Sequence, residues 1–369
     1  MSSREEVRVL LVGAGVRGAV WAKVCSESPQ VDLIGILDRD TSRAESVREE
    51  LPTAPPAIYQ NMSAALREGS PDAVIISTPP ASHHSLVGTA ISEGKHVLCE
   101  KPLSDEVDEV IDLVGRARDK GVILMVGMNF RYLSTSQRIR RIVQNRRLGD
   151  LSYAQFTYVR HRDGNRDDLN DYPMTMPYPM LLEQSIHHFD LLRHCYGTEV
   201  ESLIADSWRP PWSTYENDCC VSVLFRFANG VRANYLGTWT AAWNKMTFNW
   251  RSEFSAGALI QQSQFDDLVR VDFQPELGLK GSRFKTEEES EPMLIEELEP
   301  CVPFVDDSRQ LLAEFVASIH GDVEPTTTGA DHLRSLSLVW ACIESLDTRR
   351  WVSLSDFYEK LGLLPAILA

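Results

Sequence analysis

The chain has 369 residues, 43% of them hydrophobic and 24% charged, which is ordinary soluble-globular usage at a length that suits two domains. Its formal charge of −16 argues against nucleic acid or an anionic membrane as partner, but not against an anionic cofactor held by local backbone donors. No apolar run approaches the roughly 18 residues of a membrane span. The N-terminal Met-Ser-Ser-Arg-Glu-Glu runs straight into an apolar segment, which leaves no room for a signal peptide. The seven cysteines, at 25, 99, 195, 219, 220, 301 and 342, show no Cys-x-x-Cys spacing. A reduced, cytoplasmic protein without a disulfide framework or a zinc site is the expectation.

Residues 7–12 read as a buried strand, and Gly13-Ala14-Gly15-Val16-Arg17-Gly18 follows at once, opening a helix. In this spacing Gly13 permits a sharp turn, Gly15 lets the backbone approach a pyrophosphate, and Gly18 lets helix and strand pack closely. The N–H groups at the helix start, around Val16 and Arg17, are then the phosphate ligands. A second apolar run, 31–37, ends in Asp38-Arg39-Asp40, with Asp38 twenty positions after Gly18. A carboxylate there can accept both ribose hydroxyls of an adenosine and repel a 2′-phosphate. The competing role for Asp38 is to cap the helix that begins near Thr41. Arg39 could pair with a 2′-phosphate, so NAD is favoured and NADP is admitted.

The alternation of strand and helix continues. The apolar run 72–77 is broken by Thr78-Pro79-Pro80, and Ser82 begins a helix to about Glu93. The strand 95–99 ends in Glu100-Lys101-Pro102. Ser104 is expected to cap a helix to about Lys120, with Val107, Val110, Ile111, Val114 and Ala117 as its apolar stripe. A further strand spans 122–126. This order predicts an α/β fold with a doubly wound parallel sheet and right-handed crossovers, whose ligands bind outside the carboxyl ends of the strands. Asp38, Thr78-Pro79-Pro80 and Glu100-Lys101-Pro102 all fall at such ends.

On these residues the sequence resembles the glucose–fructose oxidoreductase/inositol dehydrogenase (Gfo/Idh/MocA) family of nicotinamide-dependent enzymes. The marks are Gly13-x-Gly15-x-x-Gly18, Thr78-Pro79-Pro80 with His83 shortly after, and Glu100-Lys101-Pro102. Pro80 stands where the family usually has asparagine. The resemblance implies a Rossmann domain for NAD(P), with Thr78, Pro79, His83 and Glu100 beside the cofactor and Lys101 as the active-site lysine. The chemistry of the tripeptide points the same way. A lysine at a strand's carboxyl end can bond a substrate oxygen and stabilise developing alkoxide charge; the ordinary alternative is a solvated amine. Pro102 fixes the backbone after it and admits a cis bond.

Asn129-Phe-Arg-Tyr132 reads as the crossing point between domains. The segment 134–147 is a helix with Ile139, Ile142 and Val143 as its buried stripe, ringed by Arg138, Arg140, Arg141, Arg146 and Arg147, and stopped by Gly149. Without interleaved aromatics in an acidic chain, these arginines read as a solvated, salt-bridged face. From 151 the pattern changes to strands at 151–161, 200–208, 219–227, 231–239 and 247–254, mostly antiparallel, with Ala228-Asn229-Gly230 as a hairpin turn. The acidic run 287–299, with Pro292, reads as an exposed loop or edge, and 308–320 and 330–347 as closing helices.

The chemistry of this half sits in 180–192, whose apolar positions Leu181, Leu182, Ile186, Phe189 and Leu192 repeat with helical period. Glu183 and His187 are four apart and share a face, so the carboxylate can orient the imidazole for acid–base work. The resembled family has Asp-x-x-x-His here. His187 is its implied counterpart, and Glu183 replaces the aspartate with one more methylene. A surface ion pair is the plain alternative, and zinc would need a third ligand that no spacing supplies. His188 and His194 receive no role. The polar stretch 160–172 suits a hydroxyl-rich substrate, and Trp208, Trp212, Trp239 and Trp243 could be sugar-facing walls, although packing in the sheet is the better reading of any one.

The expectation is a Rossmann domain over 1–128 and an α+β domain over 129–369 with a large, mostly antiparallel open sheet. By resemblance that sheet is the contact of a homodimer or homotetramer. The expected activity is hydride transfer between a nicotinamide and the carbinol or carbonyl of a sugar, polyol or inositol-like compound. Lys101 or His187 exchanges the proton while the other positions the oxygen. Two rivals share the architecture: an NAD-dependent glycoside hydrolase and a non-catalytic dinucleotide-binding regulator.

Overall fold

The computed structural model describes residues 6–52, 55–162, 172–242, 246–272 and 293–367. The chain forms two units, one of residues 1–132, 302–336 and 362–369, the other of residues 133–301 and 337–361.

In the first unit the chain runs β1 (Val7–Val12), α1 (Val16–Glu27), β2 (Val31–Leu37), α2 (Thr41–Glu49), β3 (Ala57–Tyr59), α3 (Met62–Gly69), β4 (Ala73–Ile76), α4 (His83–Ser92), β5 (His96–Cys99), α5 (Val107–Lys120) and β6 (Leu124–Val126). The six strands pair in parallel in the order β3-β2-β1-β4-β5-β6, the doubly wound dinucleotide-binding order. Helices cover both faces of such a sheet, so its strands are apolar without alternation: every residue of β4 is buried. Val110, Leu113, Val114 and Ala117 form the buried stripe of α5, and Gly121, with φ 65°, ends it in the left-handed conformation. Its cap differs from expectation. The helix starts at Val107 behind Glu106, and the Ser104 hydroxyl instead accepts from the Glu106 N–H and donates to the Glu109 carboxylate at 2.6 Å.

The second unit contains α6 (Ser134–Gln144), β7 (Leu151–Val159), a π-helical turn (Met180–Ser185) that runs into α7 (Ile186–Tyr196), β8 (Val200–Trp208), β9 (Cys220–Phe227), β10 (Arg232–Thr238), β11 (Thr247–Phe254), β12 (Gly257–Gln261), β13 (Val269–Asp272) and β14 (Met293–Ile295). Its nine-stranded sheet has the order β14-β13-β12-β11-β7-β10-β9-β8-β15, the last strand being Val352–Ser353. Neighbours are antiparallel except β7 and β10, whose intervening chain, α7 included, is long enough for a parallel crossover. One face is aromatic: Phe156, Tyr235, Phe248 and Trp250 are all buried there. The helix α6 ends at Gln144, short of the expected 147; Arg138 on it pairs with Glu296 and Arg140 donates to the His194 carbonyl, while Arg146, beyond its end, pairs with Asp150. Of the acidic run, 293–295 form an exposed edge strand and 287–292 lie outside the described residues.

The division at 128/129 differs from these two units. The helix α8 (Asp306–Ile319) belongs with the first, because Leu311, Leu312, Phe315 and Val316 join Trp21, Val9 and Leu11 in one buried cluster. The following helix, α9 (Gly329–Thr348), is shared between the units.

Candidate functional site

Strand register sets out the first unit's functional edge. Leu37 faces Val12, Val12 faces Ile76, Ile76 faces Cys99 and Cys99 faces Val126. The next residues, Asp38, Gly13, Ser77, Glu100 and Gly127, therefore leave the sheet in one row. Thr78 and Lys101 follow one position farther on.

The glycine turn is built by close approach. Gly13 has φ 100°, its N–H donates to the Leu37 carbonyl at 2.8 Å, and a Cβ there would lie 2.6 Å from the Ser77 carbonyl oxygen. A Cβ on Gly18 would lie 2.0 Å from the Gly13 oxygen, so only glycine lets α1 pack this near the strand. Gly15 is different: a Cβ there meets nothing within 4 Å. It faces open space at the start of α1, where no side chain caps the helix and Val16 is 81% exposed. An open glycine at an uncapped helix N-terminus fits a dinucleotide pyrophosphate, which needs backbone N–H donors and no side chain in the way.

Asp38 is half-buried and accepts at both oxygens, from the Ala14 N–H at 2.7 Å and the Asp40 N–H at 2.9 Å. Capping of α2 falls to Asp40, whose carboxylate accepts from the Ser42 N–H at 3.1 Å. Asp38 thus joins the end of β2 to the glycine turn. Arg39 is exposed. The Arg17 side chain is engaged apart from its backbone N–H: its guanidinium donates to Glu100 at 2.5 Å, to the Phe304 carbonyl and to Ser308, and lies 5.0 Å from the Trp21 ring centre. The Trp21 indole N–H also donates to Glu100, at 2.7 Å. Glu100 is therefore an anchor for α1, and Trp21, four residues after Arg17 on one helix face, is a partner that the glycine pattern did not single out.

Lys101 is half-buried and its bond to Pro102 is cis. His83 is fully buried, with Nδ1 2.8 Å from the Pro102 oxygen and Nε2 2.7 Å from the Thr78 oxygen. Burial lowers its pKa, against the two carbonyls, which hold it up. Thr78 also accepts from the Ser82 hydroxyl at 2.7 Å, and Pro79 is exposed.

In the second unit Glu183 lies in the π-helical turn and His187 in the first turn of α7. His187 is only 7% exposed, which sets aside the surface ion pair. π-Helical turns inside α-helices recur at functional sites. The turn is held by His188, to which the sequence assigns nothing. Its Nδ1 is 2.9 Å from the Tyr235 hydroxyl, which is 3.0 Å from Ser185, and its Nε2 is 3.1 Å from the Gln184 amide nitrogen. Gln184 can only donate there, so His188 accepts at Nε2 and donates from Nδ1. Full burial among Phe156, Tyr158, Tyr235 and Phe248 pushes its pKa down to about 3.

Among the tryptophans, Trp239 is buried beneath the Arg162 guanidinium, 4.5 Å from its ring centre, while Trp208 and Trp212 are exposed. Trp243 and residues 163–171 of the polar loop lie outside the described residues. Among the described residues no disulfide forms, no group of three or more His, Cys, Asp or Glu is placed to hold a metal, and no helix is long and apolar enough to cross a membrane.

Comparison with known proteins matches residues 7–128 to the GFO/IDH/MocA oxidoreductase family, described as having an NAD-binding Rossmann fold, and residues 136–259 to the GFO/IDH/MocA C-terminal domain. The chain is 27% identical over 240 residues to the uncharacterized protein y4oX of Sinorhizobium fredii, a match spanning 63% of this chain and 65% of that protein. It is 26% identical to the myo-inositol 2-dehydrogenase of Thermotoga maritima, over 95% of this chain and 99% of that one. Its fold matches an Agrobacterium radiobacter oxidoreductase crystallised with NAD+, L-tartaric acid and magnesium, with a TM-score of 0.82 at 19% identity over 95% and 99% of the two chains.

A ring kept neutral by burial contributes stability that is present above its unfolded-state pKa near 6.5 and is lost as pH falls toward about 3, because the unfolded chain takes up the proton first. Urea unfolding of the unit that holds it is therefore expected to weaken below pH 6 more steeply in the parent than in His188→Gln. The difference approaches about 1.4 kcal/mol per pH unit. Parallel pH profiles for the two proteins contradict a neutral, buried His188.

Proposed function

The chain belongs to the GFO/IDH/MocA oxidoreductase family, and from that premise we propose that it is an NAD(P)-dependent dehydrogenase or reductase acting on a carbinol or carbonyl of a sugar, polyol or inositol-like compound. The observation that carries this reading is the row of strand ends in the first unit, with Asp38 after β2, the open glycine turn after β1 and Lys101 after β5 of one parallel sheet. The likeness to a myo-inositol 2-dehydrogenase supports the substrate class.

The bound nicotinamide supplies the hydride chemistry, and the protein supplies alignment and charge. The amides that open α1 beside Gly15 are the ligands for the pyrophosphate. Each Asp38 oxygen spends one lone pair on a backbone N–H and keeps the other for a ribose hydroxyl. Lys101 places a positive charge against the substrate oxygen and favours alkoxide character there. Glu183 orients His187, and either His187 or Lys101 holds the hydroxyl proton as it leaves or returns. In the same reading the protein is a cytoplasmic homodimer or homotetramer joined through the nine-stranded sheet.

A panel of sugars, inositols and sugar acids with NAD+ and NADP+, read by reduced-nicotinamide absorbance, identifies the substrate. With it, Lys101→Met is expected to lower kcat by about 10²–10⁴-fold while dinucleotide affinity stays close to the parent's. Parental turnover in that variant removes Lys101 from the chemistry. Asp38→Ser is expected to weaken NAD+ by tenfold or more, since a hydrogen bond to a charged group is worth about 1.5–3 kcal/mol, and to affect NADP+ much less. The ratio decides the matter, because loss of the turn alone weakens both cofactors alike.

A further inference from the structure

We propose that His83 and His332 are a pair of positioning residues that clamp the single peptide unit joining Pro102 to Leu103, and so fix the backbone from which Lys101 projects. This rests on the reading of Lys101 as the residue that meets the substrate oxygen. Both imidazoles are fully buried. His83 reaches the carbonyl oxygen of that peptide from α4, at 2.8 Å, and His332 accepts its N–H from α9, at 3.3 Å. A trans peptide points these two groups in opposite directions, so the plane is held from both sides. The partner sets the His332 ring, which accepts at Nε2 and carries its proton on Nδ1, while the His83 ring lies between two carbonyl oxygens, Nδ1 toward Pro102 and Nε2 2.7 Å from Thr78.

His332 is delivered to this place by a series of contacts at the start of α9. The Val126 N–H donates to the Thr327 carbonyl at 2.8 Å, and Thr328 pairs with Met125, so the chain extends the sheet beyond β6. A Cβ on Gly329 would lie 3.0 Å from a Leu124 methyl, so the start of α9 lies flat against that strand. The Thr328 hydroxyl accepts from the Asp331 N–H at 3.0 Å, and Asp331 pairs with Arg131. On the other side of Lys101, the Glu100 N–H donates to the Ile76 carbonyl at 2.8 Å, and the Glu100 carboxylate is held by Arg17 and Trp21. The Pro102 ring fixes φ between lysine and clamp. Lys101 is thus bracketed by immobilised backbone one residue before it and one residue after it. Filling space alone would not call for two imidazoles here, since an apolar side chain fills a core without a polar group to satisfy.

The experiment compares His332→Leu, which removes the acceptor, with His332→Gln, whose amide oxygen can take the Leu103 N–H. Each is assayed for kcat and KM on the substrate from the panel above, and for NADH affinity by fluorescence. His332→Leu is expected to lower kcat by about 10–100-fold, the scale of an ångström's misplacement, with KM and NADH affinity unchanged. His332→Gln is expected to return most of the loss. Parental kcat in His332→Leu, or equal kcat in the two variants, overturns the clamp. Where His332→Leu does not fold, His83→Met reads the other end of the clamp in the same assay, with reduced kcat supporting it and parental kcat overturning it. Lys101→Met measured alongside separates the two claims. If that variant is inactive while His332→Leu keeps its kcat, the clamp alone fails. If Lys101→Met keeps parental kcat, the reading of Lys101 fails first.

Discussion

Two backbone N–H groups, those of Ala14 and Asp40, converge on the carboxylate of Asp38, and the geometry of the first unit's functional edge depends on this junction. It joins the end of β2 to the turn after β1, and the turn itself exists only because Gly13 and Gly18 come closer than any side chain allows. A carboxylate that accepts two backbone donors is oriented before any ligand arrives. Its remaining lone pairs then point where the fold puts them rather than where solvent leaves them. The same junction leaves Gly15 facing open space, so the open start of α1 and the orientation of the Asp38 carboxylate are set by one local arrangement.

Flush parallel register carries that order across the sheet. Because Leu37, Val12, Ile76 and Cys99 are cross-strand partners, a residue's place in the row follows from its distance past the strand end. Lys101 is two past, and the backbone on either side of it is held, by Ile76 and Glu100 before it and by the two histidines on the Pro102–Leu103 peptide after it. Arg17, by pairing with Glu100, binds the glycine helix to the lysine strand. Holding backbone in place through buried polar contacts costs desolvation, which is tolerable where each group finds its partner.

Much of this was legible in the sequence because the signals are local. Glycine spacing, apolar runs and the residues that break them place β1, β2, β4 and β5 and their loops, and the two apolar stretches flanking the Ala228-Asn229-Gly230 turn place β9 and β10. Glu183 and His187 follow from helical spacing, although the π-helical turn beneath Glu183 does not, since it is stabilised by Tyr235 from a distant strand. The place of the Arg17 amide follows from the motif, whereas the partner of its side chain, Glu100, lies 83 residues away. His332 and Leu103 are 229 residues apart, and the return of α8 to the first core is similarly remote. Periodicity tells which face of a helix is buried and is silent on what buries it. The short, half-buried β3 lies below the length at which a pattern can be read.

The central claim is that the turn after β1 and the end of β2 form one dinucleotide site. Amide hydrogen exchange with and without NADH tests it most directly. The account predicts slowed exchange at Gly15, Val16, Arg17 and Gly18 and at Arg39 and Asp40, with the open face of the nine-stranded sheet unaffected. NADH binding that leaves the amides of 13–18 and 38–40 exchanging as in the free protein would contradict it.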